Sequence, residues 1–282
     1  MLIKHMGIRR VLIKPLSILT LSGLWGIVSS SFGGLVLPAW STEPPLATPN
    51  PSKQFVPPPP PTTLGTPQGR SRGGGSRGDC LWPEDSPPLT ALVPTNKNEL
   101  AGLESVWSYT MSDRPTFWFY LPYELEATTD VLFILQDGDG NTLEAYSQMF
   151  RPSLSPGIVS ITLPDIAPPL DVGKGYHWFF QVYCDENPDF VDGWVYRTAP
   201  ETELDQQLQA AVPKDQSAIY ANNGIWQEAI ASLARLRQAD PEDGAIASDW
   251  RQLLESVGLE AIADQPFTTC CEPPLSSPSF VN

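Results

Sequence analysis

The 282-residue chain is 41% apolar and 10% aromatic, with a formal charge of −15. Lys4, Arg9, Arg10 and Lys14 all lie before residue 41, where there is no acid, so 13 Lys and Arg face 32 Asp and Glu in the remainder. That balance of −19 argues against nucleic-acid binding and against docking on anionic lipid, because both need a basic surface.

Residues 1–41 read as a secretory signal peptide. A basic region ends at Lys14, an uncharged and mostly apolar stretch runs from Leu16 to Leu37, and Ala39-Trp40-Ser41 offers small residues for cleavage. The apolar run is also long enough for an uncleaved anchor. Arg9-Arg10 has the look of a twin-arginine signal. Either way the expected location is periplasmic or secreted, with membrane contact only through an uncleaved leader.

Residues 42–67 form a proline-rich linker. Ten prolines fall between Pro44 and Pro67, a composition that favours an extended or disordered spacer. A glycine-arginine strap follows and carries the basic residues Arg70, Arg72 and Arg77. Its glycines permit close backbone approach, so two readings stand: an anion-binding concavity, or a flexible strap whose arginines pair with the acidic domain. Gly74-Gly75-Ser76-Arg77-Gly78 imitates a nucleophile elbow, but no buried strand precedes it and no good helix can follow.

Residues 68–200 are expected to form an antiparallel β-sandwich of Ig-like architecture. Its predicted strands are Leu89–Val93, Ser105–Thr110, Thr116–Tyr123, Val131–Gln136, Thr142–Phe150, Ile158–Leu163, Tyr176–Cys184 and Phe190–Arg197. From Phe117 to Leu121 every side chain is large and apolar or aromatic. Successive strand residues point to opposite faces, so this strand must be covered on both. Asp137-Gly138-Asp139-Gly140-Asn141 is the sharpest hairpin signal. Asp137, Asp139 and Asn141 also imitate the start of a calcium loop, but Thr142 stands where that loop needs Gly and Gln148 where it needs Glu.

The β region carries a resemblance. The strap ending in Cys80, then Leu89-Thr90-Ala91-Leu92-Val93-Pro94, Pro115-Thr116-Phe117-Trp118-Phe119-Tyr120, Leu135-Gln136-Asp137, Pro156-Gly157-Ile158-Val159, Trp178-Phe179-Phe180 and Cys184-Asp185 occur in that order. This resembles the cyanobacterial family called domain of unknown function 928, over about residues 65 to 260. The resemblance implies export and places the strap and its cysteine in the folded domain. It implies no catalytic residues. Ser76 stands where members often have Thr.

In residues 201–263 the apolar period becomes helical. Leu204, Leu208 and Ala211 make a stripe closed by Pro213, and a short helix runs from Gln216 to Asn222. Trp226, Ala229, Ile230, Leu233 and Leu236 share a third face. Asp240-Pro241-Glu242 is read as the N-cap of a fourth helix bearing Ile246, Trp250, Leu253 and Val257. The middle pair resembles a single tetratricopeptide-type hairpin, which cannot bury its own face and is expected to pack on the sandwich. Residues 264–282, with Cys270 and Cys271, read as a loose tail.

Four cysteines in an exported chain allow three disulfide connectivities. Cys80–Cys184 is the pairing expected here, tying the start of the folded region to a core strand. Two buried thiols are the alternative. His177 is the only histidine after the leader, so neither a histidine-rich metal site nor a Ser-His-Asp arrangement is expected. No cofactor motif is read. Trp118 and Trp178 are assigned to the core, and Trp107 and Trp194 are the surface candidates. The expectation is a non-enzymatic module that binds a protein or an envelope polymer. A glycan hydrolase using paired carboxylates and a calcium-stabilised domain are the alternatives.

Overall fold

The computed structural model describes residues 54–61, 67–74, 83, 85–98, 103–138, 142–184 and 186–271. The leader and residues 272–282 lie outside them, as do Arg77, Cys80, Asp139 and Asn141. The described chain is mostly β, with nine strands followed by four helices. The strands are β1 (Thr90–Ala91), β2 (Thr95–Asn98), β3 (Leu103–Thr110), β4 (Thr116–Leu121), β5 (Asp130–Asp137), β6 (Thr142–Phe150), β7 (Gly157–Thr162), β8 (Gly175–Tyr183) and β9 (Asp189–Arg197). The helices are α1 (Thr202–Ala210), α2 (Pro213–Asn222), α3 (Trp226–Ala239) and α4 (Gly244–Glu255).

The strands form a three-stranded sheet, β1-β4-β7, and a six-stranded sheet, β2-β3-β9-β8-β5-β6. The aromatic run of β4 explains how they meet. Phe117 and Phe119 point at the larger sheet, where Phe117 lies 5.0 Å from the Phe133 ring and Phe119 stacks on Phe180 at 4.1 Å. Trp118 faces the other way and meets Phe267, which also contacts Trp250 of α4. Both faces of β4 are therefore covered, as a strand without polar alternation requires.

The pairing is not antiparallel throughout. β3 runs parallel to β9, with Trp107 opposite Trp194 and Thr110 opposite Arg197. A parallel neighbour needs a long crossover, and here the rest of the β region intervenes, a relation that no local pattern encodes. β2 was not among the predicted strands, because Thr-Asn-Lys-Asn lacks apolar alternation. It is the polar edge of the sheet, a composition that discourages further pairing.

Helices α2, α3 and α4 share one apolar cluster with the strands, including Trp226 and Trp250, while Leu204 and Leu208 of α1 form a second, smaller cluster with Ile225. The Trp226 indole donates to the Leu92 carbonyl at 2.9 Å, and Gln227 donates to the Ser108 hydroxyl at 3.0 Å. Two helix boundaries differ from those expected. Pro213 does not close α1 but opens α2 at its first position, where its missing N–H is no loss. Asp243, not Asp240, caps α4, accepting from Ala245 and Ile246 N–H; Asp240 instead ends α3. The expected tail also starts later than read. Ile158 N–H donates to the Pro266 carbonyl at 2.7 Å and Thr268 N–H donates to the Ile158 carbonyl at 2.9 Å, so residues 266–268 extend the small sheet.

Part of the proline-rich segment is likewise docked rather than free. Phe55 and Pro61 are buried and Pro58 is half-buried, while Val56, Pro57, Pro59 and Pro60 are exposed. That spacing is the three-residue period of a polyproline II helix showing one face to the protein. Phe55 sits edge-on to Trp226 at 5.1 Å, Phe55 N–H donates to Ser256 Oγ, and Val56 N–H donates to the Ala221 carbonyl.

Glu228 of α3 is half-buried, with its carboxylate enclosed at the end of β3. Its Oε1 accepts from the Thr110 hydroxyl at 2.6 Å, Ser112 N–H at 3.0 Å and Met111 N–H at 3.2 Å, while its Oε2 is buried without a hydrogen-bond partner. Burial raises its carboxyl above the ordinary glutamate range, and the donated hydrogen bonds only partly oppose this. A raised acid favours the fold while protonated, so that stability is present below the unfolded value and is lost as pH rises through the folded one. Glu228→Gln is expected to flatten this dependence. Thermal melts from pH 4 to pH 8 should converge at the acid end and separate in favour of the variant at the basic end, by about 2–4 °C per kcal/mol.

Candidate binding face and cleft

Strand alternation gives the six-stranded sheet an inner apolar face and an outer aromatic one. Trp107 of β3, Trp194 of β9, His177 of β8 and Gln136 of β5 stand side by side in register across four strands. All four are half-buried. His177 stacks on Trp194 at 4.6 Å with an interplanar angle of 9°, and lies 4.2 Å from the Phe179 ring. Tyr109 meets Trp107 edge-on at 5.2 Å and Tyr196 at 5.6 Å. The result is a continuous aromatic surface on rigid strands. By contrast, Trp118, Trp178, Trp226 and Trp250 are core, none more than 6% exposed.

The charges on this face are already engaged. His177 Nε2 lies 2.8 Å from Asp192 Oδ2, and Asp192 Oδ1 accepts from Arg70 N–H at 3.1 Å. Arg70 and Asp192 also exchange main-chain hydrogen bonds, and the Arg70 guanidinium covers the Phe190 ring at 4.4 Å. The Trp194 indole donates to the Gln68 carbonyl at 3.2 Å. The strap thus borders the aromatic surface and fixes its central tryptophan.

The strap is built in by β-type contacts. Gln68 bridges Ser105 where β3 diverges from β9, Arg70 bridges Asp192, and Arg72 bridges Thr90 of β1, so the strap joins the two sheets. Asp189 anchors its far end. This buried carboxylate accepts from Gly74 N–H at 3.1 Å, Phe190 N–H at 3.0 Å and the Tyr123 hydroxyl. Burial foremost, then the hydrogen bond to Asp189 and its charge, push the Tyr123 hydroxyl far above its ordinary range. A Cβ at residue 73 would lie 2.5 Å from Asp189 Oδ2, which is why glycine stands there.

The expected site residues are therefore dispersed. Arg70, Trp107 and Trp194 come together on the outer face. Arg72 turns away and donates to the Gly258 carbonyl at 3.3 Å. Asp137 ends β5 opposite Tyr176, and among the described residues no group of three acidic, histidine or cysteine side chains is placed to hold a metal ion. Cys184 is half-buried and disulfide-bonded, and its expected partner lies outside the described residues. The sulfur atoms of Cys270 and Cys271 are brought together, with Cys271 in the left-handed backbone region at φ 64°. Sequence reasoning set His177 aside as a ligand or base. Its place in the row follows from its alternation with Trp178, a signal present in the sequence.

A cleft of about 300 Å³ opens at the β3 end of the aromatic surface. It is lined by Pro57, Pro58 and Pro60 of the docked proline segment, by Thr95, Asn96, Ser105, Trp107 and Tyr109, and by Gly224, Ser256 and Val257. Among the described residues, no charged side chain lines it.

The fold and site define a mostly β protein of two sheets with packed helices and a half-buried aromatic row. The chain belongs to the family described as Domain of Unknown Function (DUF928), whose family model matches residues 72–267. That span runs from the middle of the strap to the phenylalanine lodged between Trp118 and Trp250, and the docked proline segment lies before it. No curated protein and no solved structure matches the chain.

Proposed function

We propose that the chain is an exported, non-enzymatic interaction module that holds a protein or an envelope polymer against the outer face of its larger sheet. The observation carrying this reading is the in-register row Trp107, Trp194 and His177, half-exposed on strands whose other side is the core. Large amphipathic rings on a rigid support offer contact area with little conformational entropy to lose. The acidic composition supports a partner that is neither nucleic acid nor an anionic lipid surface, and the leader motif supports a periplasmic or secreted location. The stacked sheets suit a sandwich-type scaffold, with the helices bracing it. Glycoside hydrolysis takes two carboxylates, whereas no carboxylate is among the described residues lining the cleft beside the row.

Immobilised chain exposed to fractionated envelope extract tests the reading. Wild type and Met149→Ala, a change at an exposed apolar residue of β6, should retain the same material. Trp194→Ala should retain at least tenfold less while melting within a few degrees of wild type. Equal retention by Trp194→Ala would overturn the assignment of the face.

A further inference from the structure

We propose that the cleft beside Trp107 takes a neutral glycan segment. This rests on the binding-module reading and adds the chemical class of the ligand.

The lining is the first reason. The chain beyond residue 41 carries 32 acids against 13 bases, yet none of the described residues lining the cleft is charged. An ionic ligand entering it would shed water without gaining a counter-charge, an unfavourable exchange. An anionic ligand would also meet the repulsion of the acidic surface.

The second reason is the pairing of flat apolar surfaces with neutral hydrogen-bonding groups. Trp107 and Tyr109 present rings at 90° to one another, and the docked prolines line the same cleft. Asn96, on the polar edge strand, is exposed at the rim and offers an amide donor and acceptor. A sugar ring has the complementary make-up: apolar C–H faces and a rim of neutral hydroxyls. A purely apolar ligand would leave those polar groups unused.

The third reason is rigidity. The proline segment is held by the Phe55 contact with Trp226 and by the Val56 hydrogen bond to Ala221, so little ordering is left for the ligand to drive. The cleft's size lies at the lower end of the range for small-ligand sites, and it shares Trp107, the cross-strand neighbour of Trp194, with the aromatic row, so a longer chain can run onto that row.

Isothermal titration of the full chain tests this with four probes: cellohexaose, an N-acetylglucosamine hexasaccharide, an acidic oligogalacturonate of the same length, and a proline-rich peptide. We expect saturable binding of at least one neutral hexasaccharide, at least tenfold weaker binding of the acidic one, and no binding of the peptide. Trp107→Ala should weaken the neutral ligand at least tenfold, and Asn96→Ala, on the rim, severalfold without changing the melt. Absence of neutral saccharide binding, tighter binding of the acidic probe or the peptide, or unchanged affinity in both variants would overturn the proposal. If saccharides fail while Trp194→Ala still loses envelope material, the ligand class falls and the binding face stands; if both fail, both fall.

Discussion

Replacing Gly193 by alanine is expected to cost about 3 kcal/mol or more, at the upper end for overpacking a core, and to abolish binding at the aromatic face. Gly193 lies in β9 directly opposite Trp178 of β8. A Cβ there would stand 2.6 Å from both the Trp178 ring and a Val106 methyl, and 2.9 Å from the Val106 carbonyl oxygen. Trp178 is 2% exposed and Val106 0%, so neither side chain has space to swing into, and the carbonyl is fixed in the sheet. The strand must therefore move, and with it Trp194, the next residue, which stacks on His177. A glycine inside a strand marks such a close approach. The matching control is Gly244→Ala at the start of α4, where an added Cβ meets nothing within 4 Å. Urea unfolding of the two variants checks the difference; equal midpoints would contradict it.

Phe55→Ala carries the second large effect, about 3 kcal/mol, the low end for a buried phenylalanine. The low end applies because the segment lies at the surface and can lift away instead of leaving a closed cavity. Its removal uncovers Trp226, which is 0% exposed and sits where the helices join the sheets. Val56, half exposed beside it, should tolerate alanine with no measurable change. The comparison is informative because composition alone reads this segment as a spacer. If the spacer reading were right, both substitutions would leave the melt unaltered. Limited proteolysis should agree, with cleavage at residues 54–61 faster in Phe55→Ala than in wild type.

These two sites show what the sequence can and cannot reveal. Gly193 was legible only as an interruption of Phe-Val-Asp-Gly-Trp-Val-Tyr, because its partner lies in another strand. The strands themselves were readable wherever apolar and polar residues alternate or a run is apolar throughout, as in Thr116–Leu121 and Gly175–Tyr183. The aromatic run of β4 even announced that both its faces would be covered. Thr95–Asn98 escaped because an exposed edge strand has no apolar face to advertise. The parallel pairing of β3 with β9 escaped because sheet order is a long-range property. Docking of Phe55 and of Pro266–Thr268 was hidden for a related reason: each is a short segment whose one informative apolar residue sits among prolines or polar neighbours. In the candidate site, Trp107 and Trp194 are the surface candidates of the sequence, but the row that includes His177 needs the registers of β3, β8 and β9. The three arginines were grouped by proximity in sequence. Residues 70 and 72 would share a side of a straight extended segment, but the strap crosses between the sheets here, so Arg70 lies over Phe190 of β9 while Arg72, beside Thr90 of β1, reaches the Gly258 carbonyl.

The central claim is that the outer face of the six-stranded sheet is where a partner is held. Amide hydrogen exchange of the chain with and without the material it retains from envelope extract tests this most directly. The account predicts added protection confined to residues 67–74, 94–98, 103–110, 175–183 and 189–197, which are the strap, the cleft edge and the three strands bearing the aromatic row. Protection concentrated instead on α1, α4 or the exposed side of β6, with β8 and β9 unchanged, would contradict it.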